Sequence, residues 1–160
     1  MIMFPQKITP FLWFDGEAEE AAELYTSLFP DSEITSIVRY GNEAEQIIGR
    51  PAGTAMTVSF KLAGQSFTAL NGGPKYRFNA AVSFYISCKD QEEIDHYWYG
   101  LTKDGGEEGM CGWCKDKFGL SWQVVPEILP QLLSNPESAN RVTQAFMGMK
   151  RLVVSELVKG

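Results

Sequence analysis

Moved along by 73 positions, residues 11–28 of the 160-residue chain fall without a gap on residues 84–101. Phe11 meets Phe84, Glu19 and Glu20 meet Glu92 and Glu93, Tyr25 meets Trp98, and Leu28 meets Leu101. A second echo sets Gly64 to Thr68 against Gly119 to Gln123, each reading Gly-x-Ser-aromatic-polar. A unit of about 60 residues buries too little surface to be comfortable alone, whereas two copies share a core and form a cleft between them. The repeat therefore predicts two similar modules, residues 8–70 and 81–126, followed by a helical appendix over 127–160, all within one domain spanning 1–160.

Periodicity fills in each module. Residues 8–14 are an apolar run suited to a short buried strand, and Asp15 is placed to cap the helix that follows. That helix sets Ala18, Ala21, Ala22, Tyr25, Leu28 and Phe29 on one face and loads glutamates near its start, before Pro30 and Asp31 stop it. Glu33 to Tyr40 reads as a strand, and the polar, glycine-bearing stretch from Gly41 to Gly53 as a mobile loop. Thr54 to Leu62 alternates, with Met56, Val58, Phe60 and Leu62 opposite Thr57, Ser59 and Lys61, and Ala63-Gly64 turns the chain into a partner strand, Gln65 to Leu70. In the second half, Ala81 to Cys88 alternates in the same way. Asp90 to Glu93 resembles a capping box, and Ile94, Tyr97, Trp98 and Leu101 form a helical stripe. Two more strands follow around the Asp116 to Gly119 turn, the last running Leu120 to Val125. In the tail, Asn135 is read as the cap of a helix with Pro136 at its first position and Ala139, Val142, Phe146 and Met149 on one face. Strands separated by single helices and joined by hairpins make the class α+β.

The formal charge of −6 argues against a nucleic-acid partner, since no cluster of Lys and Arg appears for phosphate neutralisation. The N-terminal residues from Met1 to Lys7 lack a basic leader with a long apolar run, and no stretch approaches a membrane span. Three cysteines, Cys88, Cys111 and Cys114, cannot all pair, which fits a reducing compartment. Together these predict a soluble cytoplasmic protein with no membrane partner.

The stretch Cys111-Gly112-Trp113-Cys114-Lys115-Asp116-Lys117-Phe118-Gly119-Leu120-Ser121-Trp122-Gln123-Val124-Val125-Pro126, with Phe11 to Gly16 and the Glu-Glu-Ala-Ala helix, resembles the PhnB-like branch of the vicinal oxygen chelate superfamily. That superfamily includes glyoxalases, extradiol dioxygenases and bleomycin-resistance proteins. The resemblance implies two βαβββ modules whose strands wrap a half-barrel cleft, in a homodimer. Relatives often carry the label of a 3-demethylubiquinone methyltransferase domain. The residues themselves offer that chemistry no support, because no Gly-x-Gly-x-x-Gly loop follows a strand and no parallel βαβ run is present.

Superfamily enzymes hold a divalent metal with His, Glu or Gln from the first and last strands of each module. Position by position, this chain offers Thr9 or Pro10, Ser83, Thr68 and Gln123, of which Gln123 alone is a ligand type of that kind. The reading is therefore a cleft with no metal and no cofactor. His96, the one histidine, sits beside the Tyr97-Trp98 stripe as a helix-surface residue. Cys111 and Cys114 have redox spacing, yet on a strand they would point to opposite faces. The candidate ligand-binding residues are Lys61, Thr68, Ser83, Tyr85, Trp113 and Gln123, all on polar strand faces, around a small neutral or aromatic molecule. In the first strand, the Phe11/Trp13 face and the Leu12/Phe14 face are equally open as the cleft lining. No catalytic residue is assigned. The alternatives are a metal-dependent lyase, isomerase or dioxygenase that uses Gln123, or a drug-binding dimer of the bleomycin-resistance type. The homodimer rests on the resemblance and on apolar surface, including Phe146 and Met149, left uncovered by two open sheets.

Overall fold

Alternation in the strands and a stripe in each helix leave one arrangement that buries both: a helix laid on one face of a four-stranded sheet. The computed structural model describes residues 6–159, so the part of the N-terminal reading that falls on residues 1–5 lies outside the described residues. The chain divides into two units between Arg77 and Phe78. The first holds β1 (Phe11–Phe14), α1 (Ala18–Leu28), β2 (Glu33–Arg39), α2 (Asn42–Ile48), β3 (Ala55–Leu62) and β4 (Gln65–Asn71). The second holds β5 (Ser83–Cys88), α3 (Gln91–Thr102), β6 (Glu107–Glu108), β7 (Trp113–Lys115) and β8 (Ser121–Pro126), then α4 (Leu129–Ser134), α5 (Ala139–Met147) and α6 (Val154–Leu157).

The sheets run β1-β4-β3-β2 and β5-β8-β7-β6, the same order twice, open and mixed. In each, the first strand lies parallel to the last and the remaining pairs are antiparallel. The fold is α+β, built from two modules of matching topology. Among the described residues no helix is long and apolar enough to cross a membrane.

The helices meet the 73-residue shift closely: α1 buries Ala21, Tyr25 and Leu28, and α3 buries Ile94, Trp98 and Leu101. Tyr25 and Trp98 are fully buried, and rings of that size contribute about 3 kcal/mol each. The strands do not follow the same shift. Leu12 and Phe14 face the core in β1, and their counterparts in β5 are Ile86 and Cys88, one position later than the repeat places them. The link from Phe14 to α1 has three residues and that from Cys88 to α3 has two, so the second module is one residue shorter there. With the strands realigned, Phe11↔Thr68 corresponds to Tyr85↔Gln123, which agrees with the echo between Gly64 and Gly119. Both glycines stand in the left-handed region, at φ 82° and 87°, at the turn that feeds the last strand.

Four local expectations are corrected. Asp15 does not cap α1; the Ala18 N–H donates instead to the side-chain oxygen of Asn71 at 2.9 Å, while Asp15 pairs with Arg50. Asn71 is the buried last residue of β4, one position beyond the predicted end of that strand, and its amide also donates to the Ala55 carbonyl at 3.0 Å. Tyr40 completes the knot by donating its hydroxyl to the Asn71 carbonyl at 2.6 Å. The stretch from Gly41 to Gly53 is not loop throughout: α2 occupies its middle and is closed by Gly49 at φ 70°. Asn135 and Pro136 form a turn rather than a helix start, because Asn135 accepts from Glu137 N–H and Ser138 is the cap position of α5. Finally, Phe146 and Met149 are not uncovered apolar surface; they pack against the buried Val125, Leu129, Val142, Leu152 and Leu157 of their own unit.

By contrast, Asp90 caps α3 as expected, accepting from Glu93 N–H at 2.9 Å, with Glu93 accepting in return from Lys89 N–H. Replacing Asn71 with alanine strands two buried backbone groups, the Ala18 N–H and the Ala55 carbonyl. At about 1–3 kcal/mol for each unpaired group, Asn71→Ala should lower stability by roughly 3 kcal/mol in urea unfolding. A loss below about 1 kcal/mol would show that water replaces the amide and that Asn71 is not the tie described.

Candidate functional site

Directly opposed residues in a sheet point to the same face, so strand register alone orders the side chains turned away from each helix. On the second sheet Tyr85 opposes Gln123, and Gln123 opposes Trp113, giving one row across three strands. Strands lie about 4.8 Å apart, which sets the two rings roughly 10 Å from each other with an amide between them. The next row is Ser83, Ser121, Lys115 and Glu107.

Four of the six candidates therefore share one surface: Tyr85, Gln123 and Trp113 form the row, and Gln123 Nε2 donates to Ser83 Oγ at 3.0 Å. That bond aims the amide, and among the described residues no protein donor meets its oxygen. Tyr85 is 51% exposed. Partial burial, and then the Cys88 sulfur, push its phenol up from the usual tyrosine range, so it stays a neutral hydroxyl at physiological pH. Three of the four tryptophans have their indole N–H satisfied within the protein: Trp13 by the Gly73 carbonyl, Trp98 by Glu108 and Trp122 by Asp116. Trp113 donates to no protein acceptor among the described residues and is half-buried.

Lys61 and Thr68 lie on the corresponding face of the first sheet, in separate rows. Thr68 stands with Phe11, Ser59 and Ser36, and Lys61 with Ser66 and Glu33. The open choice in β1 is resolved, with Leu12 and Phe14 inward and Phe11 and Trp13 outward. Trp13 is fixed edge-on to Tyr76, at 4.9 Å between ring centroids, and its ring lies against Gly72, where an added Cβ would come within 2.4 Å.

Two further residues share the second face. Lys115 follows Trp113 by two positions in β7, and that alternation is the signal that marks it. Ser121 is almost wholly buried, and its hydroxyl has no hydrogen-bond partner among the described residues. Nothing in its sequence neighbourhood distinguishes it from Ser83.

Among the described residues no three His, Cys, Asp or Glu side chains stand together as a metal site, and the Gln123 amide commits its nitrogen, not its oxygen, to Ser83. His96 is exposed on α3, edge-on to Tyr97 at 5.0 Å. Cys111 is not in a strand: it and Gly112 form a left-handed turn, at φ 59° and 82°, ahead of β7, whereas Cys114 is buried within it. All three cysteines are unpaired. Burial above all, with Glu93 the next contributor at Cys88 and Asp116 at Cys114, pushes both of those thiols up to about 12.

Residues 6–125 match the model of the family described as 3-demethylubiquinone-9 3-methyltransferase. Among solved structures, the PhnB protein of Bacillus cereus is 39% identical, covers 75% of this chain and 99% of its own, and superposes with a TM-score of 0.67. A Pseudomonas aeruginosa protein shares the fold at 22% identity, over 77% of this chain and 98% of its own, with a TM-score of 0.58. A glyoxylase/bleomycin resistance protein/dioxygenase domain from Frankia is similar at 14% identity, over 74% of this chain and 90% of its own, with a TM-score of 0.43. No curated protein matches the chain.

The thiols yield a direct check. At pH 8 a maleimide should label one cysteine per native chain, Cys111, and three after denaturation, because Cys88 and Cys114 are buried and protonated. Rapid native labelling of Cys88 or Cys114 would contradict their placement in the two cores.

Proposed function

The chain belongs to the 3-demethylubiquinone-9 3-methyltransferase family, and from that premise we propose that it binds a small neutral or aromatic molecule on the outer face of its second sheet, without a divalent metal among the ligands. The supporting observation is the row Tyr85, Gln123 and Trp113, in which two rings flank an amide already aimed by Ser83. A flat ligand gains contact with both rings, while the Gln123 oxygen accepts from a ligand hydroxyl and the Trp113 N–H donates to a ligand carbonyl. The description of the family speaks of methylating a quinone precursor, and a ring bearing hydroxyl and carbonyl oxygens is the kind of molecule this row suits. Methyl transfer itself is not part of the proposal. Each sheet has a single parallel pair, so the doubly wound crevice that holds a nucleotide-like methyl donor is absent from these sheets.

We place the protein in a homodimer and in the reducing cytoplasm. The first is supported by exposed Phe11 and Val38 on the outer face of the first sheet, and no longer by Phe146 and Met149. The second is supported by three unpaired cysteines.

A thermal-shift titration with neutral phenols and benzoquinone-like carbonyl compounds tests the site, since a ligand that binds only the folded chain raises its melting temperature. Tyr85→Ala and Gln123→Ala should each weaken binding about tenfold, equivalent to roughly 1.4 kcal/mol. Because Tyr85 is half exposed, its truncation should leave the unliganded melting temperature nearly unchanged. Ligand shifts of equal size in both variants and the wild type would place binding elsewhere. Stoichiometric zinc or manganese binding lost in Gln123→Ala would overturn the metal-free reading.

A further inference from the structure

We propose that the first unit carries a second, separate binding site, for a small organic oxyanion, in the groove where β1, β4 and the end of α2 come together. The groove has a volume of about 400 Å³, within the range of small-ligand pockets, and is lined by Asp15, Tyr40, Ile48, Arg50, Gly73 and Pro74 among others. It shares no residue with the row on the second sheet.

Arg50 is the reason to read it as an anion site. Its Nη2 donates to the backbone carbonyl of Asp15 and, at 3.0 Å, to the Asp15 carboxylate. Its Nη1 and Nε meet no protein acceptor among the described residues, although the side chain is only 23% exposed. A guanidinium presents its donors as a planar fork that matches the two oxygens of a carboxylate or phosphate, and here one edge of that fork is committed while the other is not. The guanidinium lies against two glycines: a Cβ at Gly16 or Gly73 would stand 3.4 Å from it, in ordinary contact, and Gly73 is held at φ 100°. A purely structural clasp, pinning the segment after α2 to the start of α1, accounts for Nη2. It leaves three N–H donors open to the groove, where solvent or an incoming oxyanion reaches them.

The rest of the lining narrows the class. Ile48, Pro51 and Pro74 supply apolar surface, which favours an oxyanion carried on a small apolar body over a bare inorganic ion. The Asp15 carboxylate opposes any incoming anion, so the chain as it stands binds weakly. That opposition predicts an unusual response: removing the acid should improve binding.

Benzoate and inorganic phosphate are titrated against the full chain, with the Arg50 Nε–H signal followed by NMR and affinity measured by calorimetry. Benzoate should shift the Arg50 signal saturably and bind more tightly than phosphate. Asp15→Asn, which keeps an oxygen for Nη2, should tighten benzoate at least threefold, and Arg50→Gln should abolish it. A clasp alone would make Asp15→Asn neutral or harmful to binding, and that result would overturn the proposal, as would an Arg50 signal that neither probe moves. If phosphate binds and benzoate does not, the organic class is wrong. Should Arg50→Gln fail to fold, the response of Asp15→Asn decides alone. The Trp113 Nε1–H signal should stay in place during the benzoate titration, and its movement with Arg50 still would place the anion on the second sheet instead.

Discussion

Everything in each module depends on a parallel pairing between its first and last strands. Phe14 opposes Asn71 and Cys88 opposes Pro126, so the chain must leave the first strand, form its helix and hairpin, and return before the sheet closes. Contacts so distant in sequence carry a loop-closure cost that local structure does not repay, and burial of the helix against the finished sheet must offset it. Register is correspondingly strict. A slip of one residue in β4 would turn Phe67 and Ala69 outward and Thr68 inward, exchanging core for surface along the whole strand.

The two modules meet this demand with different chemistry at the same place. In the first, Asn71 ends β4 and supplies from afar the cap that α1 lacks, with Tyr40 and Ala55 tied to the same residue. In the second, Pro126 holds the equivalent place and has no side chain to lend, and Asp90 caps α3 from within its own link. The one-residue difference between the links follows the same division: the shorter link puts Asp90 at the cap position, whereas the longer one puts Glu17 there without a cap bond and leaves Asp15 two residues ahead of it, paired with Arg50.

That contrast explains what was legible in the sequence. The helices, the α+β class and the alternating strands are local patterns, and the stripe from Ala18 to Leu28 or from Ile94 to Leu101 needs no knowledge of the fold. The strand offset was hidden because Phe11 and Phe84 are alike in type though opposite in direction. Asn71 was beyond reach because its partner is 53 residues away, and α2 because glycines at both its ends resemble a loop. Phe146 and Met149 looked uncovered because the tail's own fold was invisible. Of the candidate residues, Tyr85, Gln123 and Trp113 lie in one row because alternation fixes facing; how Lys61 and Thr68 relate to that row could not be read from alternation, which orders residues only within a sheet.

The central claim is that the amide-and-ring row of the second sheet is a binding surface. Indole resonances test it most directly, because the chain has four tryptophans and three of them already donate within the protein. On saturation with a neutral phenol, the Trp113 Nε1–H and Gln123 Nε2 signals should move together while the indoles of Trp13, Trp98 and Trp122 stay in place. Movement of another indole with Trp113 still, or no movement at all among the four, would contradict the account.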